Sequence, residues 1–399
     1  MKSIQTQEKL PLEECRSYKI FKKAVKNEKT LRIYNYALKE FLRYTNFKNY
    51  DEVCKSDKIQ EILENWIMDL SDKALKGNSI RTRLSPVELL LEMNRVVFYK
   101  KILHKLIPND TGISGGGLPF TNDDIKQMLE STKKLRTKAI IHFIASTGIR
   151  PSAIIDPILR KKHLIEMPHD CLAIKVYDNS QEGYWAFLTP EARKSLYQYF
   201  TSRRLNGENL NDESPLFVNE NDKIDGQGKR IKFSHLTLDN LSTIMSDLVD
   251  HAGILRTKTG NRYDKATVYG FRKRFNTILK NNNQVNSNIA EKLMAHKRGL
   301  DGVYFVPTID DCFNEFYKAV ADLTVNQEEK LKVENLQQKK KLDELEQERQ
   351  NNADLRETVM KMGDKIKRME QNKIPLTEEQ KEYYRELIKE ALEAERNSS

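Results

Sequence analysis

The sequence predicts a mainly α-helical protein with one small antiparallel β-sheet, an α+β fold. Three observations carry that expectation. Apolar residues recur at helical spacing through much of residues 14–322. Two short runs, Cys171–Tyr177 and Tyr184–Leu188, flank the turn Asp178–Gly183 in the manner of a β-hairpin. From residue 323 onward, isolated apolar residues keep a three–four spacing among Glu, Lys, Gln and Asn, the pattern of a long exposed helix.

Taken in order, residues 1–108 read as an all-helical unit. Ile33, Tyr34, Ala37, Leu38, Phe41 and Leu42 form one helical stripe, and Ile59, Ile62, Leu63, Trp66, Ile67 and Leu70 a second. A third runs through Leu89, Met93, Val96 and Val97, with breakers between the stripes at Lys48–Asp51 and Lys76–Asn78. Cations (Lys22, Lys23, Lys26, Lys29, Arg32, Lys39, Arg43) stud the first stretch and suit either DNA phosphates or an ordinary solvated face. The aromatic residues of this unit read as core. Residues 109–119 contain three consecutive glycines between prolines and read as a linker; no Gly-Lys-Ser/Thr follows to make a phosphate loop.

Residues 120–322 form the second unit. Thr121–Asp124 offer caps for a helix starting near Ile125. Ala139–Ala145 is a buried helix that ends at Gly148, the hairpin follows, and further helices are expected at about 190–206, 235–253, 271–282 and 287–295. In residues 323–373 the apolar seam comprises Leu331, Leu345, Leu355, Val359, Met362, Ile366 and Met369. Polar residues at the intervening core positions (Glu334, Gln338, Lys341, Glu348, Asn352) leave both a solitary helix and a coiled coil open. Pro375 stops this helix, and Thr377 caps a final amphipathic helix within 374–399 that contains Tyr384, Leu387, Ile388 and Leu392.

Composition narrows the function. No apolar run of about 18 residues is present, so no spanning helix is expected. The N-terminus lacks an apolar signal core, which points to a cytoplasmic protein. Cys15, Cys54, Cys171 and Cys312 are scattered without metal-ligand spacing and read as reduced thiols. His104, His163, His169, His235 and His251 likewise show no ligand pattern, and His142 on the apolar helix reads as structural. The net charge of +10 is uneven. Residues 325–399 hold 16 Lys and Arg against 18 Asp and Glu, so residues 1–324 carry +12 and could face a polyanion.

The informative residues are Arg150 in Thr147-Gly148-Ile149-Arg150, Arg272 in Tyr269-Gly270-Phe271-Arg272, His296 in Ala295-His296, and Tyr304 eight positions after that histidine. Two guanidiniums, an imidazole and a phenol can attack a phosphodiester without metal. The pentavalent centre gathers negative charge on its non-bridging oxygens, and arginine binds such oxygens while staying protonated. A phenol, with a reference pKa of about 10, needs a proton acceptor or a positive neighbourhood to act as nucleophile.

In order and spacing, these residues and the hairpin between them resemble the catalytic domain of the tyrosine recombinases, the phage integrase family. The hairpin followed by Thr189-Pro190-Glu191-Ala192, and the Gly299-Leu300-Asp301-Gly302 approach to the tyrosine, look most like its archaeal branch. The resemblance covers residues 120–322, and the helical unit before them fits the family's core-binding, SAM-like DNA-binding domain. It implies Arg150, Arg272 and His296 as catalytic residues and Tyr304 as nucleophile, forming a 3′-phosphotyrosyl bond and freeing a 5′-hydroxyl. It further implies double-stranded DNA as partner, with the two domains closing around it as a C-shaped clamp. A homo-oligomer, tetrameric on DNA and associated with the nucleoid, is implied too, as is chemistry without ATP, metal or other cofactor.

The chain departs from the family pattern at four places. Tyr269 stands where His-x-x-Arg begins with histidine. The hairpin turn lacks the lysine that protonates the leaving oxygen, and Lys175 on the first strand is the nearest substitute. The acidic residue after the first arginine is missing from Pro151–Ile155. Tyr304 falls one residue short of the usual spacing, where Phe305 stands. Tyr269 and the lysine-free turn keep open a recombinase-derived DNA-binding protein without full strand exchange, and the shared nucleophile chemistry keeps open a type IB topoisomerase-like enzyme.

Overall fold

The computed structural model describes residues 14–109, 117–180, 182–219, 226, 233–259, 262–296, 304–371, 377–380, 382, 383, 385, 386 and 389. Gly115 and Gly116 of the expected linker, residues 297–303 before the candidate tyrosine, Pro375, and Tyr384, Leu387, Ile388 and Leu392 of the final helix all lie outside the described residues. The chain divides into two compact units, Met1–Ile113 and Ser114–Ser399. Among the described residues no helix is long and apolar enough to cross a membrane, and no cluster of His, Cys, Asp and Glu could hold a metal ion.

Among the described residues the first unit has six helices: α1 (Arg16–Ala24), α2 (Glu28–Thr45), α3 (Tyr50–Lys55), α4 (Ile59–Asp72), α5 (Gly77–Met93) and α6 (Lys100–Leu106). α5 packs against α1, α2 and α4, and the apolar stripes close a core in which Phe41 and Trp66 meet at a ring separation of 4.8 Å. Two expected breaks fall differently. Asn49 is not a stop but the N-cap of α3, its side chain accepting from the Glu52 amide at 3.0 Å. Gly77 lies inside the first turn of α5, where a Cβ would come within 2.1 Å of the Pro108 carbonyl oxygen. The third stripe also stops short of Val96 and Val97. Arg95 turns left-handed (φ 60°), and the Val96 amide returns to the Leu91 carbonyl to close the helix.

The second unit begins with α7 (Asn122–Glu130), three residues earlier than expected, because Thr121 and Asp124 form a reciprocal capping box. It continues through α8 (Leu135–Thr147), α9 (Pro151–Ile155), β1 (Leu164–Met167), β2 (Cys171–Val176), β3 (Tyr184–Leu188), α10 (Pro190–Leu205) and α11 (Leu238–His251). A two-residue ladder, β4 (Lys258–Thr259) with β5 (Arg262–Tyr263), precedes α12 (Tyr269–Asn281), α13 (Ser287–Leu293), α14 (Ile309–Lys318), α15 (Val320–Leu323) and α16 (Gln327–Gln371). The expected hairpin is present, with Val176 opposite Tyr184 and Leu172 opposite Leu188. β1 adds an unexpected edge strand, antiparallel to β2.

The sheet is covered on both faces. Leu172, Ile174, Val176, Tyr184, Ala186 and Leu188 join the core of α8 and α10. Cys171, Ala173 and Phe187 join that of α12, α13 and α14. An antiparallel sheet buried on both sides explains why β2 is apolar at almost every position rather than alternating.

The root of α16 is fixed to this body. The buried Glu191 carboxylate accepts the amides of Val325 (2.8 Å) and Asn326 (3.1 Å), Val333 enters the core, and Gln337 Nε2 donates to the Tyr317 carbonyl at 2.8 Å. Farther along, two residues of the expected seam face solvent: Leu345 is 47% and Leu355 41% exposed. At the end of the chain, Thr377 and Gln380 exchange the bonds of an N-terminal cap.

Candidate active site

Arg150 owes its position to the end of α8. The Thr147 hydroxyl donates to the Phe143 carbonyl at 2.7 Å and accepts the Ile149 amide at 3.3 Å, so the chain leaves the helix in a defined direction. Gly148 takes the left-handed C-cap conformation (φ 56°), and a Cβ there would meet the Phe275 ring at 2.6 Å. Arg150 is then the N-cap of α9, held in extended backbone by Pro151 at the first helical position. The Thr-Gly-x-Arg spacing is thus a helix stop, a glycine-only turn and a second helix start.

Arg272 sits one turn into α12 and is 6% exposed. Its Nη1 donates to the Gly148 carbonyl at 2.8 Å, its Nη2 donates to the Met294 carbonyl, and Nη2 also lies 3.2 Å from His296 Nε2. Burial, and next the nearby charge of Arg150, hold its pKa below the ordinary arginine value. Two cations facing each other in a partly dry site lower their mutual repulsion when an anion enters between them.

His296 is placed by the end of α13. The Ala295 amide bonds the Lys292 carbonyl and the His296 amide the Glu291 carbonyl, both at 2.9 Å, which is the Schellman closure. Ala295 occupies the left-handed position (φ 51°) that favours glycine. The imidazole is bonded at both nitrogens: Nδ1 lies 2.7 Å from Glu291 Oε2 and Nε2 meets Arg272. Arginine only donates, so Nε2 accepts, Nδ1 carries the proton, and Glu291 fixes that tautomer. Glu291 is itself buried and paired with Lys280. Sequence reasoning missed Glu291, which reads there as one more helix carboxylate.

A cavity of about 660 Å³ has Arg150, Lys175, Tyr184, Lys292 and His296 among its lining residues, and Arg272 adjoins it through its bond to His296. Lys175 projects over the Trp185 ring, its Nζ 4.2 Å from the ring centre. Cys312 also lines the cavity, with its thiol pushed up to about 11 by burial, so it is no nucleophile. Phe305, Val306 and Pro307 complete one wall. Tyr304, directly before them, is outside the lining and 81% exposed. Tyr269 opens α12 and is 53% exposed, three residues before Arg272.

The neighbouring cation Arg274 has a different task. It is 4% exposed and binds Asn122 Oδ1 and the carbonyls of Ala145, Asp322 and Leu323. Burial lowers its pKa to about 10. It is a strut between α7, α8 and α15, not part of the cavity.

Residues 119–300 match the model of the phage integrase family. No curated protein sequence matches the chain. Among solved structures, the XerH site-specific recombinase bound to difH substrate in a pre-cleavage complex is similar at 17% identity and a TM-score of 0.48, over 71% of this chain and 80% of that one. A lambda integrase dimer bound to a COC′ core site is similar at 12% identity and a TM-score of 0.48, over 73% of this chain and 95% of that one. The XerA recombinase is similar at 18% identity and a TM-score of 0.34, over 76% and 95%. The segment that matches the phage integrase family, residues 119–300, is the one that holds Arg150, Lys175, Arg272 and His296.

Proposed function

We propose that the protein is a site-specific DNA recombinase or integrase that cleaves and rejoins duplex DNA through a 3′-phosphotyrosyl intermediate. The observation that carries the reading is that Arg150 and His296 line one cavity inside the family-matched segment, with Arg272 bonded to His296. Arg150 and Arg272 bind the non-bridging oxygens of the scissile phosphate. As Arg272 exchanges His296 for a phosphate oxygen, Nε2 becomes free to accept the phenolic proton of Tyr304. The Tyr304 oxygen bonds to phosphorus, the P–O5′ bond breaks, and O5′ leaves with a proton from Lys175. Tyr269 takes the place of the family's histidine beside Arg272. The reverse sequence reseals DNA, and the retained bond energy removes any need for ATP.

Residues 1–108 serve in this reading as the core-binding domain and 120–322 as the catalytic domain, acting in the cytoplasm on nucleoid DNA. The seven cations noted between Lys22 and Arg43 are all exposed, which supports phosphate contact. Assembly as a homo-oligomer, tetrameric on DNA, completes the reading. Sedimentation of full-length protein against a chain ending at Lys339 tests it; that end keeps Val333 and Gln337, which are bound to the body.

The decisive experiment incubates the protein with genomic fragments, traps covalent complexes by denaturation, and sequences the attached strand. Tyr304→Phe should abolish the adduct and retain DNA binding; a surviving adduct would sink the assignment of Tyr304. Arg150→Ala should impair cleavage far more than affinity, and equal losses would argue against a phosphate clamp. Tyr269 and the lysine-free hairpin turn favour a second reading, a DNA-binding protein without strand exchange. A nicked suicide duplex separates the two, since only the recombinase accumulates adduct on it. Relaxation of supercoiled plasmid without sequence preference would instead favour a type IB topoisomerase.

A further inference from the structure

The cavity wall contains one polar group for which neither the fold nor the steps above supply a role. Tyr184, the first residue of β3, is 8% exposed, and its ring packs into the core shared by α8 and α10. Its hydroxyl is buried and has no hydrogen-bond partner among the described residues. A phenylalanine would fill the same space without the cost of a buried, unsatisfied hydroxyl. The surroundings indicate what is missing. Arg150, Lys175 and Lys292, which line the cavity with it, are donors that accept nothing. Glu182, the carboxylate among the lining residues, makes no bond to the hydroxyl. A donor group ringed by cations is suited to an anionic oxygen.

We propose that the Tyr184 hydroxyl is a further catalytic group, donating a hydrogen bond to a non-bridging oxygen of the phosphodiester held by Arg150 and Arg272. Its electrostatics fit this task. Burial pushes the phenol up to about 12, the charges of Arg272 and Arg150 opposing only in part, so it stays a protonated donor at neutral pH. The group is distinct from the nucleophile, because a phenol sealed into the sheet cannot travel to phosphorus. It is also distinct from a leaving-group acid, because it keeps its proton. In effect, β3 gives the site a neutral donor beside its two charged ones, held by strand pairing to Val176 rather than by a mobile loop.

This inference rests on the recombinase reading, and the test separates the two failures. The substrate is the duplex recovered by covalent capture, made with a native scissile phosphodiester, with a 5′-bridging phosphorothiolate, and with each methylphosphonate diastereomer. Tyr184→Phe should slow cleavage of the native substrate by about 100-fold while DNA affinity and melting temperature are not reduced. The defect should persist on the phosphorothiolate, whose leaving group needs no acid. It should vanish on the methylphosphonate that lacks the accepting oxygen. Native cleavage within about threefold of wild type would overturn the proposal, as would rescue by the phosphorothiolate, which would make Tyr184 the acid. A lower melting temperature would show that the hydroxyl serves the fold. A wild-type protein that forms no adduct on any duplex would overturn the recombinase reading and this inference with it.

Discussion

Replacing Glu291 by Gln tests how much of the site depends on one tautomer. The carboxylate has only 10% of its side chain exposed and receives Nδ1–H of His296 at 2.7 Å. A bond of this kind, between a buried ionised acceptor and a neutral donor, is worth about 1.5–3 kcal/mol. Since about 1.4 kcal/mol is tenfold in rate, Glu291→Gln should slow single-turnover cleavage of a suicide duplex roughly tenfold to a hundredfold. The amide is nearly isosteric but offers an N–H as readily as a carbonyl, so part of the population presents Nε2 already protonated and unable to accept from the nucleophile. Lys280 loses its partner too, but its side chain is 33% exposed and can turn to water. Lys280→Met is therefore the control and should leave cleavage within about threefold of wild type. DNA affinity should be unchanged in both variants. If Glu291→Gln cleaves as fast as wild type, or if Lys280→Met is equally slow, the tautomer argument is wrong.

Three further outcomes follow from the same geometry. Ala295→Gly removes a left-handed alanine and should raise the unfolding free energy by about 1 kcal/mol, read from the urea midpoint. Arg274→Ala strands the carbonyls of Ala145 and Leu323 in the core and should cost about 3 kcal/mol or more in the same assay. The pKa of His142 lies below its ordinary value, chiefly through burial, with Glu191 opposing and Lys138 reinforcing the shift. The unfolded chain therefore takes up this proton first. Stability from this group is complete above about pH 6.5 and falls as pH drops toward the folded pKa, by at most about 1.4 kcal/mol per pH unit. Unfolding at pH 7.5 and 5.5 should show a shallower acid loss in His142→Gln.

What could be read from the sequence was whatever has a local cause. Thr147-Gly148 marks a helix end because glycine alone tolerates the turn against Phe275, and the hairpin shows as two apolar runs around a polar turn. β1 was not legible: its residues are half-exposed at the sheet edge, so Leu-Ile-Glu-Met lacks a burial pattern. The third stripe was extended too far because Val96 and Val97 continue the apolar spacing across a left-handed Arg95 that no propensity announces. Within Arg272-Lys273-Arg274, composition cannot say which guanidinium meets His296 and which braces the core. That depends on where Asn122, Gly148 and Leu323 arrive from distant parts of the chain. Glu291 and Tyr184 were invisible for the same reason. A helix carboxylate and a strand aromatic acquire meaning only from what the fold sets opposite them.

The two arginines of α12 also give the long C-terminal helix a mechanical connection. Arg274 grips the carbonyls of Asp322 and Leu323, and two residues earlier on the same rigid helix Arg272 reaches His296. Glu191 pins Val325 and Asn326 just beyond that grip. The segment that leads into the long helix is thus bonded to the same helix, α12, that holds Arg272 against His296.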